Sequence, residues 1–120
     1  MLSRLFAVMA ALFAAVLAAP VAHAESVSVV GPIRSVVSSA ALTLNYTCDA
    51  TDHGKLIVVE IEDLTSNATS VGYSPAACQG YIATATVMTG VLYGNPGDSV
   101  RYKIKMPGGT VSTGEGTLGS

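Results

Sequence analysis

Asp49, Asp52 and His53 put two carboxylates and an imidazole within five residues, the donor types from which one ion could be held. Zinc wants three or four firm protein ligands and calcium six to eight oxygens, so the trio is short of either set. The same stretch, Asp49-Ala50-Thr51-Asp52-His53-Gly54, has the composition of a turn, in which Asp and Gly serve backbone geometry. The turn is the reading adopted, with no metal and no cofactor. Glu60 and Glu62 are the second candidate. Two apart on an extended strand, their carboxylates project from one face about 7 Å apart. A glycosidase pair needs one raised pKa and hence an apolar pocket, whereas these two are expected in water, facing Arg101, Lys103 and Lys105 if the strands are neighbours. A serine triad needs a histidine between hydroxyl and carboxylate. His53 is the one histidine beyond residue 24, and no Gly-x-Ser-x-Gly elbow is present. No catalytic residue is assigned, and the chain is read as a non-enzyme.

Cys48 and Cys78 are the two cysteines, thirty positions apart. A reactive thiol pair is normally closer, as in Cys-x-x-Cys. An even pair in an exported chain reads as a disulfide. Closing a loop of that length stabilises a fold by about 3 to 4 kcal/mol on the chain-entropy model.

Export is indicated by Met1–Ala24. Arg4 supplies the positive start, Leu5 to Ala19 is an apolar run, Pro20 breaks it, and Ala22-His23-Ala24 is a small-x-small cleavage pattern. Residues 1–24 are expected to be a signal peptide and residues 25–120 one domain, secreted and free of the membrane after cleavage. The run is shorter than the ~20 residues of a spanning helix.

Beyond residue 24, Arg34, Lys55, Arg101, Lys103 and Lys105 face eight carboxylates, a net charge of −3. That lacks the electrostatic footprint for nucleic acid or an anionic membrane. The same span has no Trp and no Phe, so its core must come from aliphatic residues, Met and some of five tyrosines. A domain this small buries a limited share of its surface and gains from a cross-link.

Period-two patterns broken by Gly, Pro, Asn and Asp fill the span. Strands are expected at Ser26 to Val30, resuming at Ile33 to Val37, then Ala40 to Cys48, Lys55 to Leu64, Ser70 to Pro75, Tyr81 to Met88, Ser99 to Met106, and Thr110 to about Leu118. Inward rows follow from the alternation: Leu42, Leu44, Tyr46 and Cys48; Ile57, Val59 and Ile61; Tyr81, Ala83, Ala85 and Val87; Val100, Tyr102, Ile104 and Met106. Asn95-Pro96-Gly97-Asp98 fits a type II turn with Gly97 at positive φ. About seven short strands and one disulfide predict an all-β, antiparallel β-sandwich, with a small β-barrel as the alternative.

The run Asp98-Ser99-Val100-Arg101-Tyr102 resembles the sixth strand of immunoglobulin-like domains, where an Asp four residues before a Tyr marks a corner pinned by the hydroxyl. The cysteine that family carries two residues after the Tyr is Ile104 here, and its third-strand Trp is absent, so a Cys48–Cys78 bond is not the family's usual one. The Ala-rich leader, a strand ending Tyr46-Thr47-Cys48 and the later Cys78-Gln79-Gly80 resemble small uncharacterised secreted β proteins of actinobacteria. In a bacterial product the sequons at Asn45 and Asn67 carry no meaning; in a eukaryotic one they would mark surface positions.

Loop residues remain as the place for function. Tyr73, Tyr81 and Tyr93 fall at or beside Gly- and Pro-containing connections, Leu92-Tyr93 is expected to be an exposed apolar pair, and tyrosines on the loops of a rigid scaffold offer large contact area at low entropy cost. The function expected is non-catalytic binding of a protein or glycan, or a role in the cell envelope, through these residues. Two alternatives are a small-ligand carrier resembling the chromoproteins, which needs an apolar cleft between sheets, and a secreted protease inhibitor presenting Thr65 to Pro75 as an extended loop.

Overall fold

The computed structural model describes residues 25–120; the expected signal peptide lies outside the described residues. The described residues form eight strands: β1 (Ser26–Val29), β2 (Ile33–Val36), β3 (Ser39–Thr47), β4 (Leu56–Asp63), β5 (Thr69–Pro75), β6 (Ala83–Val91), β7 (Ser99–Lys105) and β8 (Val111–Gly119). Among the described residues the helical content is one 3₁₀ turn, Ala50–Asp52. No helix among them is long and apolar enough to cross a membrane.

Alternation does the work of placing side chains. Along β3 every second residue is buried, from Ala40 through Leu42, Leu44 and Tyr46, and along β4 the buried set is Ile57, Val59, Ile61 and Asp63. These rows meet Val87 of β6 and Val100 and Ile104 of β7 in one core, with Tyr102 packed against it. Each fully buried Leu, Ile or Val contributes about 1.5 to 3 kcal/mol. Tyr46 is the one buried aromatic residue of that core, and its hydroxyl accepts from the Ala77 amide at 2.9 Å. Gly97 has φ +96 and Asp98 N donates to Asn95 O at 3.0 Å, as the turn chemistry of Asn95-Pro96-Gly97-Asp98 requires.

The expected sandwich is corrected to a barrel. The strand order β3-β2-β8-β7-β4-β5-β6 returns to β3 through the β3–β6 ladder, closing seven strands, with β1 lying on the same side of β3 as β2. Two short seams make the closure. At one, Gly31 and Pro32 break the first strand, and its second half swings onto β8 as a parallel pair, Ile33↔Leu118 and Arg34↔Gly119, so the sheet is not wholly antiparallel. At the other, β5 touches β6 through the single pair Gly72↔Thr89. Closure covers most of the edges that a sandwich would have to protect, while β1 pairs with β3 alone.

Small residues permit both approaches. A Cβ on Gly72 would fall 2.6 Å from Met88 O and 3.1 Å from the Thr89 Cα at one seam, and one on Gly119 would fall 3.2 Å from Ile33 O at the other. Beside the seam, the β3–β6 register slips between Ser39↔Val91 and Ala41↔Met88, a bulge beside Thr89, which itself points inward in phase with Val87. The Thr89 hydroxyl then accepts from the Ala40 amide at 3.1 Å, supplying the partner the interrupted ladder withholds.

Gly72→Ala is expected to destabilise the protein by about 1 to 3 kcal/mol in urea denaturation, the range for overpacking. Gly90→Ala is the comparison, because its Cβ would meet only the Ser70 Oγ at 3.3 Å and the Val71 O at 3.9 Å. Equal losses for the two variants would contradict the seam.

Candidate binding surfaces

The barrel has two ends. Cys48 and Cys78, the 3₁₀ turn and the Pro107-Gly108-Gly109 turn lie at one; residues 64–68 and 92–98 lie at the other. At the first end Cys48 and Cys78 are joined, Cα–Cα 4.9 Å, and both are buried. The bond ties the end of β3 to the crossover between β5 and β6, and it suits an oxidising compartment.

The trio Asp49, Asp52 and His53 is occupied by structure. Asp49 Oδ1 caps the 3₁₀ turn by accepting from Thr51 N and Oγ1, both 2.9 Å. Asp52 pairs with Lys55 at 2.9 Å. His53 Nδ1 accepts from Cys78 N at 3.1 Å, so the imidazole lashes the crossover to the turn. Gly54 N to Ala76 O and Ala76 N to Lys55 O, both 2.8 Å, complete the stitching.

Glu60 and Glu62 project from the outer face of β4. The β4–β7 register sets Glu60 opposite Lys103 and Glu62 opposite Arg101. Lys105 Nζ lies 3.2 Å from Glu60, and Arg101 reaches Glu62 at 3.9 Å and Glu115 of β8 at 3.2 Å. Pairs this exposed are worth a few tenths of a kcal/mol each, and they fix register more than they add stability. The twist of β5, β4, β7 and β8 gives this face a concavity of about 410 Å³, lined by Glu60, Glu62, Val71, Arg101, Lys103 and Thr113 among others.

The loop candidates do not come together. Tyr73 is 60 % exposed, but it stands on β5 opposite Val58, on the same outer face as Val71 and toward the disulfide end. Tyr81 is 62 % exposed in the crossover and precedes β6, so it does not join the inward row Ala83, Ala85 and Val87; its hydroxyl donates to Gln79 Oε1. Tyr93 is 76 % exposed at the other end of the barrel. Leu92 is 3 % exposed, which overturns the expected exposed pair: its amide bonds to Ser38 O, and its side chain joins the core. The extended loop Thr65 to Pro75 is also corrected, since β5 takes up residues 69–75. Asn45 bonds across the sheet to Thr84 at 2.7 Å, and Asn67 sits exposed at φ +62.

Asp63 was not singled out from sequence, although it continues the inward row Ile57, Val59, Ile61. The carboxylate is fully buried. Its Oδ1 accepts from Thr65 N at 2.8 Å and Ser66 N at 3.0 Å, while Oδ2 finds no donor and lies against Gly94 and the Asp98 carboxyl. Burial pushes the Asp63 carboxyl up. The Ser66 and Thr65 amides on Oδ1 outweigh it and hold the carboxyl below the ordinary range. With Gly94 covering Oδ2, Asp63 organises the loops rather than meeting a substrate.

No family model matches the sequence, and no curated protein matches it either.

Because Asp63 titrates lower when folded than when unfolded, its stabilisation is complete above the unfolded value of about 4. It is lost as pH falls through the folded value. Asp63→Ala is expected to lower stability by about 2 kcal/mol at neutral pH, the loss of hydrogen bonds to a charged group. The gap to wild type should narrow as thermal melts are taken below pH 4. A gap independent of pH would contradict this role.

Proposed function

We propose that the chain is an exported, non-catalytic domain that binds a protein or glycan partner through the outer face of β5, β4 and β7 around Tyr73. The observation that carries this reading is the placement of Tyr73. A large aromatic side chain is held on a rigid strand, does no work in the core, and stands on one face with Leu56, Val58, Val71 and the ion-paired concavity. An exposed ring gives contact area at little entropy cost, and the carboxylates and cations beside it offer hydrogen bonds to hydroxyl or amide groups.

The non-catalytic part rests on the engagement of each chemically able residue. Asp49, Asp52, His53, Glu60 and Glu62 all hold turn or strand geometry. Export is supported by the signal-peptide pattern of Met1–Ala24 and by the disulfide, in keeping with the resemblance to secreted actinobacterial β proteins. The ligand-carrier reading is less favoured because Leu42, Leu44, Ile57, Val59 and Ile104 fill the interior where its cleft would lie. The inhibitor reading is less favoured because its loop is largely strand.

The test is binding of residues 25–120, disulfide intact, to cell-wall polysaccharide and secreted proteins of the producing organism. Tyr73→Ala is expected to weaken binding about tenfold or more, the effect of losing a contact anchor. Tyr93→Ala, at the other end, should leave it nearly unchanged. Undiminished binding by Tyr73→Ala would contradict the assignment.

A further inference from the structure

Half of the parallel seam is a ladder and half is not. β2 pairs with β8 at Ile33↔Leu118 and Arg34↔Gly119, but β1, which precedes β2 along the same line, pairs with β3 alone. Before β1 a side chain bridges the interval instead: the Glu25 carboxylate accepts from Gly108 N and Thr110 N, both at 2.8 Å. Between that clasp and Ile33 the edges of β1 and β8 face each other unjoined.

Strand alternation decides which main-chain groups are left open. Leu118 turns its N–H and C=O toward β7, bonding Asp98 O and Gly97 N, and Thr110 O accepts from Met106 N. Even-numbered residues of β8 therefore serve β7, and Val111, Thr113 and Glu115 direct their N–H and C=O toward β1. On the other side Val30 N donates to Thr43 O, so Ser26 and Ser28 serve β3, while Val27 and Val29 direct theirs toward β8. A concavity of about 260 Å³ opens at this gap, lined by Val29, Ile33, Tyr102 and Gly116 among others. Gly114 and Gly116 put no side chain into it. The Tyr102 ring lies against Gly114, and its hydroxyl has no hydrogen-bond partner among the described residues.

We propose that an extended segment of a partner protein inserts here as an additional strand, antiparallel to both β1 and β8. Two facing rows of unused N–H and C=O groups are the complement of an extended backbone. β1 and β8 run the same way, so one strand running opposite pairs antiparallel with both, the more stable arrangement. Every second side chain of that strand enters the concavity, where Val29, Ile33 and Tyr102 suit a small aliphatic one. β1, held by β3 alone, gives way to the width of one more strand. A second folded copy does not fit, because its own open edges lie inside the same gap rather than on a free rim. The site is separate from Tyr73 on β5, and the inference does not depend on the outer-face reading.

Amide hydrogen exchange of residues 25–120, disulfide intact, followed by NMR with and without a blocked heptapeptide of alternating threonine and valine, tests the proposal. At saturation the peptide is expected to slow exchange at Val27, Val29, Thr113 and Glu115 by about tenfold or more, since the fold itself leaves these amides unbonded. The same peptide N-methylated at alternate residues keeps its side chains and should slow none of them. Thr113→Pro removes one open donor without breaking a bond of the fold, and should weaken peptide binding by about threefold to tenfold, the loss of one main-chain hydrogen bond. Tyr73→Ala should bind the peptide as wild type does. No slowing at these amides, equal slowing by the N-methylated peptide, or binding lost on Tyr73→Ala would overturn it.

Discussion

The Cys48–Cys78 cross-link is the constraint on which the rest of the molecule depends. The core has no Trp or Phe, and its buried side chains are Val, Ile, Leu, Ala and Met with one tyrosine. Such a core pulls the strands together without the large area that an aromatic would bury. The disulfide offsets that shortage by anchoring the crossover from β5 to β6, two strands whose own ladder is the single pair Gly72↔Thr89. Around the bond, Tyr46, His53 and the Gly54–Ala76 amide bridge hold the same segment from three directions, so each of these polar groups is spent on position. Asp63 has the matching role at the opposite end, gathering the amides of Thr65 and Ser66 under Tyr93 and Asp98.

Local patterns were readable and closure was not. Leu42, Leu44, Ile57, Val59 and Ile104 announce their inward face because a strand allows only two, and they share one core with Tyr102 against it. Gly97 announces its turn because a positive φ there excludes most other residues. The choice between sandwich and barrel hangs on three pairings, Ile33↔Leu118, Arg34↔Gly119 and Gly72↔Thr89, whose partners lie far apart in sequence and leave no periodic trace. Leu92 misled for a related reason. It follows a bulged strand, where the count that decides inward from outward has slipped by one residue. Asp63, by contrast, was available in the Ile57–Ile61 row, and its charge drew attention away from its phase.

The proposed function rests on the unequal surfaces more than on any reactive group. One outer side of the barrel is ionic, concave and marked by Tyr73; the other, made by β1, β2, β3 and β6, contains one charged residue, Arg34. The loop ends, where contact residues were expected, instead hold Tyr81 and Tyr93 apart at opposite poles. The proposed binding therefore falls not on loops but on a sheet face, where strand pairing holds side chains more rigidly than a loop would.

The account's central claim is met most directly by thermal unfolding of residues 25–120, oxidised and after reduction with thiol blocking, alongside intact mass. The oxidised protein should carry no free thiol, and reduction should lower its midpoint by about 15 to 25 °C, the equivalent of the loop-closure term for a domain of this size. Two free thiols in the unreduced protein, or coincident melting curves before and after reduction, would contradict it.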